Sequence, residues 1–337
     1  MKTKAEKCSV MRVSAVMLIL LVILAALCAV AVAVGSAGYS VPEILKQTFA
    51  EGTNPVKTIV LNLRLPRLLL AVLIGSSLSA SGALLQSVMR NPLADPGTIG
   101  VSAGASTAAS TILLVMPELT SSLPIFAFGG AALACMLIYT MAWKDGMDPT
   151  RIILSGVAIN SVLSAYTSLL QLLNSDDLSS VLSFLNGSLS GKSWHQLKIL
   201  AVYAGIGLIL SFLCIKSANA LQLGDEMAKS LGVKVNLNRI ILSAVAAFLA
   251  AATVATAGMI GFVGLVVPHI ARLLVGSDYK AMLPVSVILG ADVLLFADTI
   301  GRTIVPGMEI PVGIIMAVAG GPFFLYMLRK KGANYGN

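Results

Sequence analysis

Residues 217–238 read SANALQLGDEMAKSLGVKVNLN and form the longest strongly polar interval after the amino terminus that carries helix signals of its own. Asp225 can cap the start of a helix, and Gly232 lies where a helix would end in the left-handed conformation. Apolar residues recur at four-residue spacing on one face, namely Leu223, Met227 and Leu231. The stretch therefore predicts a helix of about two turns. Because so short a helix is marginal in water, we expect it to dock on its own membrane domain or on a soluble partner.

The composition around this stretch indicates a membrane protein. Of the 337 residues, 57% are hydrophobic and only 11% are charged, and the mean hydropathy is +0.91. Soluble proteins carry about 25% charged residues. The charges cluster and leave neutral runs, for example from Arg12 to Glu43 and from Arg239 to Arg272. Most of these runs reach the roughly 20 apolar residues that a bilayer crossing needs. The sequence predicts an all-α, polytopic membrane protein.

Five spans are predicted before residues 217–238 and five after them. The first ends near Val34, and the others lie at about 68–89, 97–117, 122–143, 151–173, 197–215, 239–257, 260–276, 283–301 and 310–328. A signal peptide is the competing interpretation of the first run, because basic residues precede it. The hydrophobic region of a signal peptide is only about 7–15 residues long, however. We therefore interpret this longer run as a span that starts in the cytoplasm.

The uncharged run from Ile240 to Ala271 is too long for one upright helix and short for two. Two crossings keep Arg239, Arg272 and the basic carboxyl end on the same side. With ten spans, 16 of the 23 Lys and Arg residues are cytoplasmic, and seven are outside: Lys46, Lys57, Arg64, Arg67, Lys192, Lys198 and Arg302. This bias satisfies the positive-inside rule and places both termini in the cytoplasm. The net charge of +8 thus reflects membrane topology, and we expect no nucleic-acid partner.

Small residues and helix breakers indicate how the spans pack. Gly75, Ser79 and Ala83 lie on one helical line, and small residues let helix backbones approach closely in lipid. Broken or kinked spans are expected at three further positions, Gly258, Pro268 and Pro311. Cys8, Cys28, Cys135 and Cys214 show no metal-binding or redox spacing, and we interpret them as small apolar side chains.

Motifs for chemistry are scarce in this chain. Residues 187–193, GSLSGKS, are one residue short of a phosphate-binding loop and lie on the predicted outer side with no strand before them. Any ATP must then be hydrolysed by another chain, and we predict no catalytic residue, metal site or cofactor. Asp292 and Asp298 in the ninth span leave an ion-coupled secondary transporter as the alternative. Asp298 is expected to pair with Arg302 one turn on, and we interpret His269 as a structural residue at the membrane edge.

Three arginines lie on the predicted outer side. Arg64 and Arg67 flank Pro66 at the start of the second span, and Arg302 marks the end of the ninth. They could anchor helices among lipid head groups. Exposed guanidinium groups also suit docking against the carboxylates of a partner, and that role requires the second and ninth spans to converge at the outer face.

Four segments resemble the signatures of the FecCD-type permeases, the membrane subunits of ABC importers for ferric siderophores, haem and cobalamin. The first is RLPRLLLAVLIGSSLSASGALLQSVMRNPLADPGTIGVSAGAS, from Arg64 to Ser106. The second is GFVGLVVPHIARLLVG, from Gly261 to Gly276, and the third comprises ADTIGRTI and EIPVGIIMAVAGGPFF near the carboxyl end. LGDEMAKSLGV resembles the family's coupling helix. The resemblance covers essentially Val10 to Lys331.

The resemblance implies a type II ABC importer permease with ten transmembrane helices per subunit. The whole chain, 1–337, would be one transmembrane domain of the cell membrane, with 217–238 as its cytoplasmic coupling loop. It would form a homodimer in the lipid bilayer, with two ATP-binding cassette ATPase subunits and an extracytoplasmic substrate-binding protein. An iron-siderophore-type metal chelate is the expected cargo, with cobalamin or haem as the alternatives.

The resemblance also implies roles for individual residues. Arg64, Arg67 and Arg302 would meet glutamates of the binding protein. The residues coupled to the ATPase would be Leu223, Gly224, Asp225, Glu226, Met227, Leu231 and Gly232. The cytoplasmic gate would lie at the turn formed by Asp148, Pro149, Thr150 and Arg151.

Overall fold

The computed structural model describes residues 4–34, 54–144, 146–174, 178–305 and 307–332. We number its main helices as follows: α1 Lys4–Ala33, α2 Leu65–Met89, α3 Val101–Val115, α4 Leu123–Ala142, α5 Pro149–Leu173, α6 Leu178–Leu185, α7 Trp194–Leu213, α8 Ile215–Gln222, α9 Asp225–Ser230, α10 Val235–Ala257, α11 Val263–Val275, α12 Tyr279–Thr303 and α13 Val312–Gly332. A short helix, Pro55–Ile59, and a π-helical turn, Val60–Arg64, lead into α2 without a break. The described residues contain no β-strand, which confirms the all-α prediction.

The apolar helices differ in length. Within the part of the chain that the structure describes, seven helical segments are long and apolar enough to cross a membrane: Met11–Ala33, Pro55–Met89, Pro117–Ala142, Pro149–Leu173, Trp194–Leu213, Val235–Ala257 and Tyr279–Thr303. Three more apolar helices in the same part are shorter: Val101–Val115, Val263–Val275 and Val312–Tyr326. Each of the ten predicted segments therefore contains an apolar helix. The prediction of ten full-length spans, however, exceeds what the described residues show.

Irregular backbone explains two of the short helices. A 3₁₀ turn, Pro96–Ile99, and Gly100 with a φ of +81° take up the first residues of the predicted third span. The helix α10 ends where Gly258 adopts a φ of +76°, and α11 starts only after Phe262, whose φ is +67°. A positive φ interrupts a right-handed helix, and residues other than glycine rarely adopt one. The run Ile240–Ala271 is therefore two helices, as the charge distribution predicted.

The central helix is α2, in which every residue from 74 to 89 is buried. A Cβ atom on Gly75 would overlap the carbonyl group of Gly290 in α12, so the two backbones touch at this point. Two hydrogen bonds continue the same line: Ser79 Oγ donates to the Ser286 carbonyl at 2.8 Å, and Tyr279 Oη donates to the Ala83 carbonyl at 2.6 Å. The packing role predicted for Gly75, Ser79 and Ala83 is thus confirmed.

The polar loops gather at the two ends of α2, which are about 37 Å apart for a helix of this length. At its start, Arg64 contacts the end of α1, and Arg67 contacts Glu309 beyond α12. At its other end, Arg90 lies near Asp225 of α9. Loops predicted to be outside thus meet at the first end, and loops predicted to be cytoplasmic meet at the second.

Candidate docking and coupling sites

Arg67 is bound by carboxylates of its own chain. Its Nη2 lies 2.9 Å from Asp298 Oδ1, its Nε donates to both oxygens of Asp298 at 3.1 Å, and its Nη1 donates to Glu309 Oε2 at 2.8 Å. Asp298 also lies 3.3 Å from Nε of Arg302, the partner expected from their spacing, although without hydrogen-bond geometry. The second and ninth spans therefore meet at this end. The expectation of an exposed guanidinium group at Arg67 is wrong, because its donors face its own chain.

Arg64 and Arg302 close the end of the first span. Arg64 Nη1 donates to the carbonyl groups of Val32 and Ala33 at 2.6 and 3.3 Å, and Arg302 Nη2 donates to that of Ala31 at 3.3 Å. The last carbonyl groups of a helix lack intrahelical donors and carry partial negative charge. Both arginines are only 6% exposed. They are therefore buried cations that donate hydrogen bonds to the last carbonyl groups of α1. The sequence did not predict these contacts.

A cavity of about 300 Å³ lies against these arginines. Its wall includes the three arginines, the turn Leu189–Lys192 and Glu309. Lys192 has no side-chain hydrogen bond or ion pair within the described residues, and burial lowers the pKa of its amino group. Among the described residues, four basic side chains and one carboxylate thus line the cavity. It suits an anionic group, and a carboxylate is the anion that guanidinium groups bind best among protein side chains.

The sequence did not indicate that Lys192 and Glu309 lie beside the three arginines. Burial alone raises the pKa of Glu309, but the hydrogen bond and the charge of Arg67 outweigh that effect and hold the pKa below its ordinary value. Glu309 is therefore an ionised partner of Arg67. Its long sequence separation from Arg67 hides the contact from any local motif.

The helix α9, Asp225–Ser230, lies at the other end of α2 and confirms the short helix predicted there. It ends in a Schellman motif: the Val233 N–H donates to the Ala228 carbonyl at 3.0 Å, and the Gly232 N–H donates to that of Lys229 at 2.9 Å. Gly232 has a φ of +78°, the left-handed conformation that was predicted. At the start, the helix-capping position is occupied by Gly224, and Asp225 is the first helical residue instead of the cap.

The apolar face of this segment is uncovered in the single chain. Leu223, Met227 and Leu231 are 60%, 55% and 61% exposed. Ala228, on the opposite face, is fully buried and holds the helix on the membrane domain. The bundle therefore fixes one face of the helix and leaves three large apolar side chains in contact with the surroundings. Such a grouping is typical of a docking surface.

Asp225 is turned away from that face. Its Oδ1 lies 2.9 Å from Nη2 of Arg239, whose side chain is 1% exposed. A second nitrogen of Arg239, Nη1, donates to the carbonyl oxygen of Met147. The N–H of Met147 donates to Asn236 Oδ1 at 3.3 Å. These contacts connect the start of α9, the first turns of α10 and the residue that precedes Asp148.

The predicted gate residues form the start of α5. Asp148 caps the helix, its Oδ1 accepting from the Thr150 and Arg151 N–H groups at 2.7 and 3.1 Å, and Pro149 is the first helical residue. The hydrogen bond from Arg151 is the largest of the effects that lower the pKa of Asp148. Arg151 Nη1 also donates to the carbonyl group of Lys144 at 3.1 Å. The turn is thus a defined helix cap at the same end as α9.

Residues 18–330 match the FecCD transport family. The chain belongs to this family. It is 42% identical to the Fe(3+)-citrate import system permease protein YfmD of Bacillus subtilis (strain 168), over 88% of this chain and 89% of that one. It is 41% identical to the cobalamin import system permease protein BtuC of Halobacterium salinarum, over 82% of this chain and 74% of that one. A solved metal-chelate type ABC transporter in an inward-facing conformation superposes with a TM-score of 0.80 at 28% identity, covering 94% of this chain and 99% of the other.

Membership of the FecCD family makes the chain a multi-pass membrane permease subunit of an ABC importer, in which a separate subunit hydrolyses ATP. The local structure of residues 187–193 agrees with this. They follow the helix α6, and Ser193 forms a capping box with Gln196 at the start of α7. This segment is therefore a helix-capping turn of the permease.

Asp292 and His269, which the sequence analysis considered as functional candidates, belong to neither the arginine site nor the α9 site. Asp292 is 4% exposed, and neither of its carboxylate oxygens has a hydrogen-bond partner among the described residues. His269 lies within α11 and is partly buried. Of the cysteines, Cys28, Cys135 and Cys214 are free thiols, while the side chain of Cys8 lies outside the described residues.

Proposed function

We propose that this FecCD-family permease carries a ferric chelate of the siderophore type into the cytoplasm. The observation that carries the proposal is the family match over residues 18–330, supported by similar proteins of Bacillus subtilis that are named for Fe(3+)-citrate and iron(3+)-hydroxamate import. Cobalamin and haem are the alternative cargoes, because permeases named for each are also similar to this chain.

Uptake into vesicles that contain the permease, its ATPase and its binding protein separates these cargoes. We expect radioactive iron to enter from ferric citrate or a ferric hydroxamate, and neither haem nor cobalamin to compete. Uptake of cobalamin or haem with no iron-chelate uptake would contradict the assignment. Binding of the same four compounds to the isolated binding protein gives an independent measure of specificity.

The coupling role of residues 217–238 is the second part of the proposal. Its support is the exposed apolar face of Leu223, Met227 and Leu231, on a helix whose other face is anchored by Ala228 and Asp225. A partner that covers three apolar side chains removes them from water, and each fully buried one contributes about 1.5–3 kcal/mol. We infer that an ATPase subunit covers this face, and that Gly224, Glu226 and Gly232 shape the contact.

Docking of the binding protein at the opposite end is the third part. Its support is the cavity lined by four basic side chains and Glu309. Arg64, Arg67 and Arg302 supply the positive field from buried positions, while Lys192 offers an amino group with no partner among the described residues. A glutamate of the binding protein would enter the cavity and compete with Glu309.

Lys192→Glu is the sharpest test of that docking site, since it reverses one charge without breaking a described contact. We expect it to weaken association with the binding protein, most strongly at low salt, because salt screens the long-range attraction between the basic side chains of the cavity and a carboxylate of the partner. Lys198→Glu, on the first turns of α7, is the matched control. Equal affinities for both variants across a salt series would exclude docking at this cavity.

We also propose that two copies of the chain form the translocation unit, with both termini in the cytoplasm. The support is the family resemblance and the distribution of Lys and Arg between the two ends. A heterodimer with a related permease is the alternative, because two Fe(3+)-citrate import permease proteins of Bacillus subtilis, YfmD and YfmE, are both similar to this chain. The mass of the complex purified with one tagged copy decides between the two.

A further inference from the structure

We infer that Arg239 is the positioning residue that links the coupling helix to the gate turn. The inference rests on the proposed coupling role of α9 and on the gate role that the family resemblance implies for residues 148–151, and it extends both to a named connection inside the chain. Arg239 lies in the second turn of α10 and is 1% exposed. Its guanidinium group contacts Asp225 of α9 on one side and the Met147 carbonyl group on the other.

The Asp225 side of this link is charged and partly open to solvent. Arg239 Nη2 donates to Asp225 Oδ1 at 2.9 Å, and Nη1 lies 3.4 Å from Oδ2, so both oxygens face the guanidinium group. Arg90 is a second, weaker cationic neighbour at 4.0 Å. Asp225 is the first residue of α9, and its side chain is 35% exposed. A displacement of α9 therefore moves the carboxylate that holds Arg239.

The Met147 side of the link fixes the backbone ahead of the gate. Both polar backbone groups of Met147 are bound by side chains of α10: the carbonyl group by Arg239 and the N–H by Asn236. Asp148 follows at once and caps α5. A planar guanidinium group that spans two acceptors holds them at a fixed separation. The start of α5 therefore cannot shift relative to α9 without a change in this link.

An alternative is that Arg239 braces the fold without taking part in transport. The two roles make different predictions. A brace changes thermal stability and leaves the amount of substrate moved per ATP unchanged in the protein that folds. If Arg239 links α9 to the gate turn, breaking its contacts lowers the amount of substrate moved per ATP even in a variant as stable as the parent. Coupling between two sites is commonly worth a factor of about 5–150.

The test compares Asp225→Asn with Glu118→Gln in the full complex of permease, ATPase and binding protein. Both variants replace a carboxylate with an amide. Glu118 is exposed in the turn Pro117–Ser122, outside α9 and the gate turn, and it has no ion pair within the described residues. With ferric citrate as the probe, we expect Asp225→Asn to lower uptake per ATP hydrolysed at least about fivefold. We expect Glu118→Gln to stay within about twofold of the parent, below that coupling range.

A second readout follows the gate turn itself. Thr150→Cys is introduced into a chain in which the native cysteines are replaced, and its maleimide labelling rate is compared without nucleotide and with ATP and vanadate. We expect the labelling rate to differ between the two states in the parent and to become equal when Asp225→Asn is added. A difference that persists in Asp225→Asn, or an unchanged uptake per ATP, would overturn the link.

Two further outcomes are informative. A fall in ATPase affinity that accounts for the whole loss in Asp225→Asn would also overturn the link, because Asp225 would then be a docking residue. The absence of ATP-driven uptake in the parent complex, by contrast, would count against the proposed function. The labelling experiment could still support or overturn the link in that case, since it requires only the assembled complex.

Discussion

Arg64, Arg67 and Arg302 lie close together, as predicted, but their guanidinium groups bind groups of their own chain. The sequence placed Arg64, Arg67 and Arg302 together at one end by charge bias and family resemblance. It could not show that their donors are taken by Asp298, by Glu309 and by the last carbonyl groups of α1, because those partners are distant in sequence. Only the short-range pair of Asp298 and Arg302 was predictable from spacing.

Arg67→Ala is expected to destabilise the permease by about 3 kcal/mol, because it leaves the buried Asp298 with a single, poorly aligned partner among the described residues. Lys192→Ala should change stability by less than about 0.5 kcal/mol, because no described contact is lost. Thermal unfolding midpoints of the two variants in the same detergent provide the comparison. Similar midpoints would show that the Arg67 ion pair does not stabilise the fold.

Among the helices, the ends marked by proline or by charge were predictable from the sequence. The ends that depend on a positive φ at a residue other than glycine were not. The start of α5 at Pro149 and the division of the 240–271 run agree closely with the sequence prediction. The helix α11 is short because Phe262 adopts a positive φ just before it, and no sequence pattern predicts a positive φ at a phenylalanine. Likewise, the apolar spacing in α9 predicted a stripe, but only the packing of Ala228 shows which face is free.

Gly75→Ala tests the contact between α2 and α12. Its new Cβ would overlap the Gly290 carbonyl group, so we expect a loss of about 1–3 kcal/mol from overpacking. Gly205→Ala in α7 is the control: nothing lies within 4 Å of its added Cβ, and alanine favours the helix by about 0.5–1 kcal/mol. Unfolding midpoints should therefore shift in opposite directions. A Gly75→Ala protein as stable as the parent would contradict the close approach.

Leu231→Asp tests the exposed face of α9 as the ATPase contact. It adds a charge to a surface that must lose water on docking, so we expect at least a tenfold weaker affinity for the ATPase and lower uptake. Ser230→Asp adds the same charge at an exposed neighbouring position that is not part of the apolar stripe. Affinity is measured by co-purification at graded ATPase concentrations. Equal affinities would place the ATPase elsewhere.

At the scale of the whole molecule, the two polar ends of the bundle follow from the alternation of spans. The sequence predicted that alternation from charge, and the contacts at the two ends of α2 agree with it. Which end faces the cytoplasm is tested with Lys192→Cys and Lys229→Cys, each in a chain without its native cysteines. In intact cells, a membrane-impermeant maleimide should label only Lys192→Cys. Labelling of Lys229→Cys instead would invert the orientation.

ATP-driven import of a ferric chelate is the proposed function of this FecCD-family permease, with the energy supplied by a separate ATPase. Its most direct test is radioactive iron uptake from ferric citrate or a ferric hydroxamate into vesicles that contain the permease, the ATPase and the binding protein. We predict uptake only when all three proteins and ATP are present, and none with an ATPase that binds but cannot hydrolyse ATP. Iron uptake by the permease alone, driven by an ion gradient without ATP, would contradict ATP-driven import.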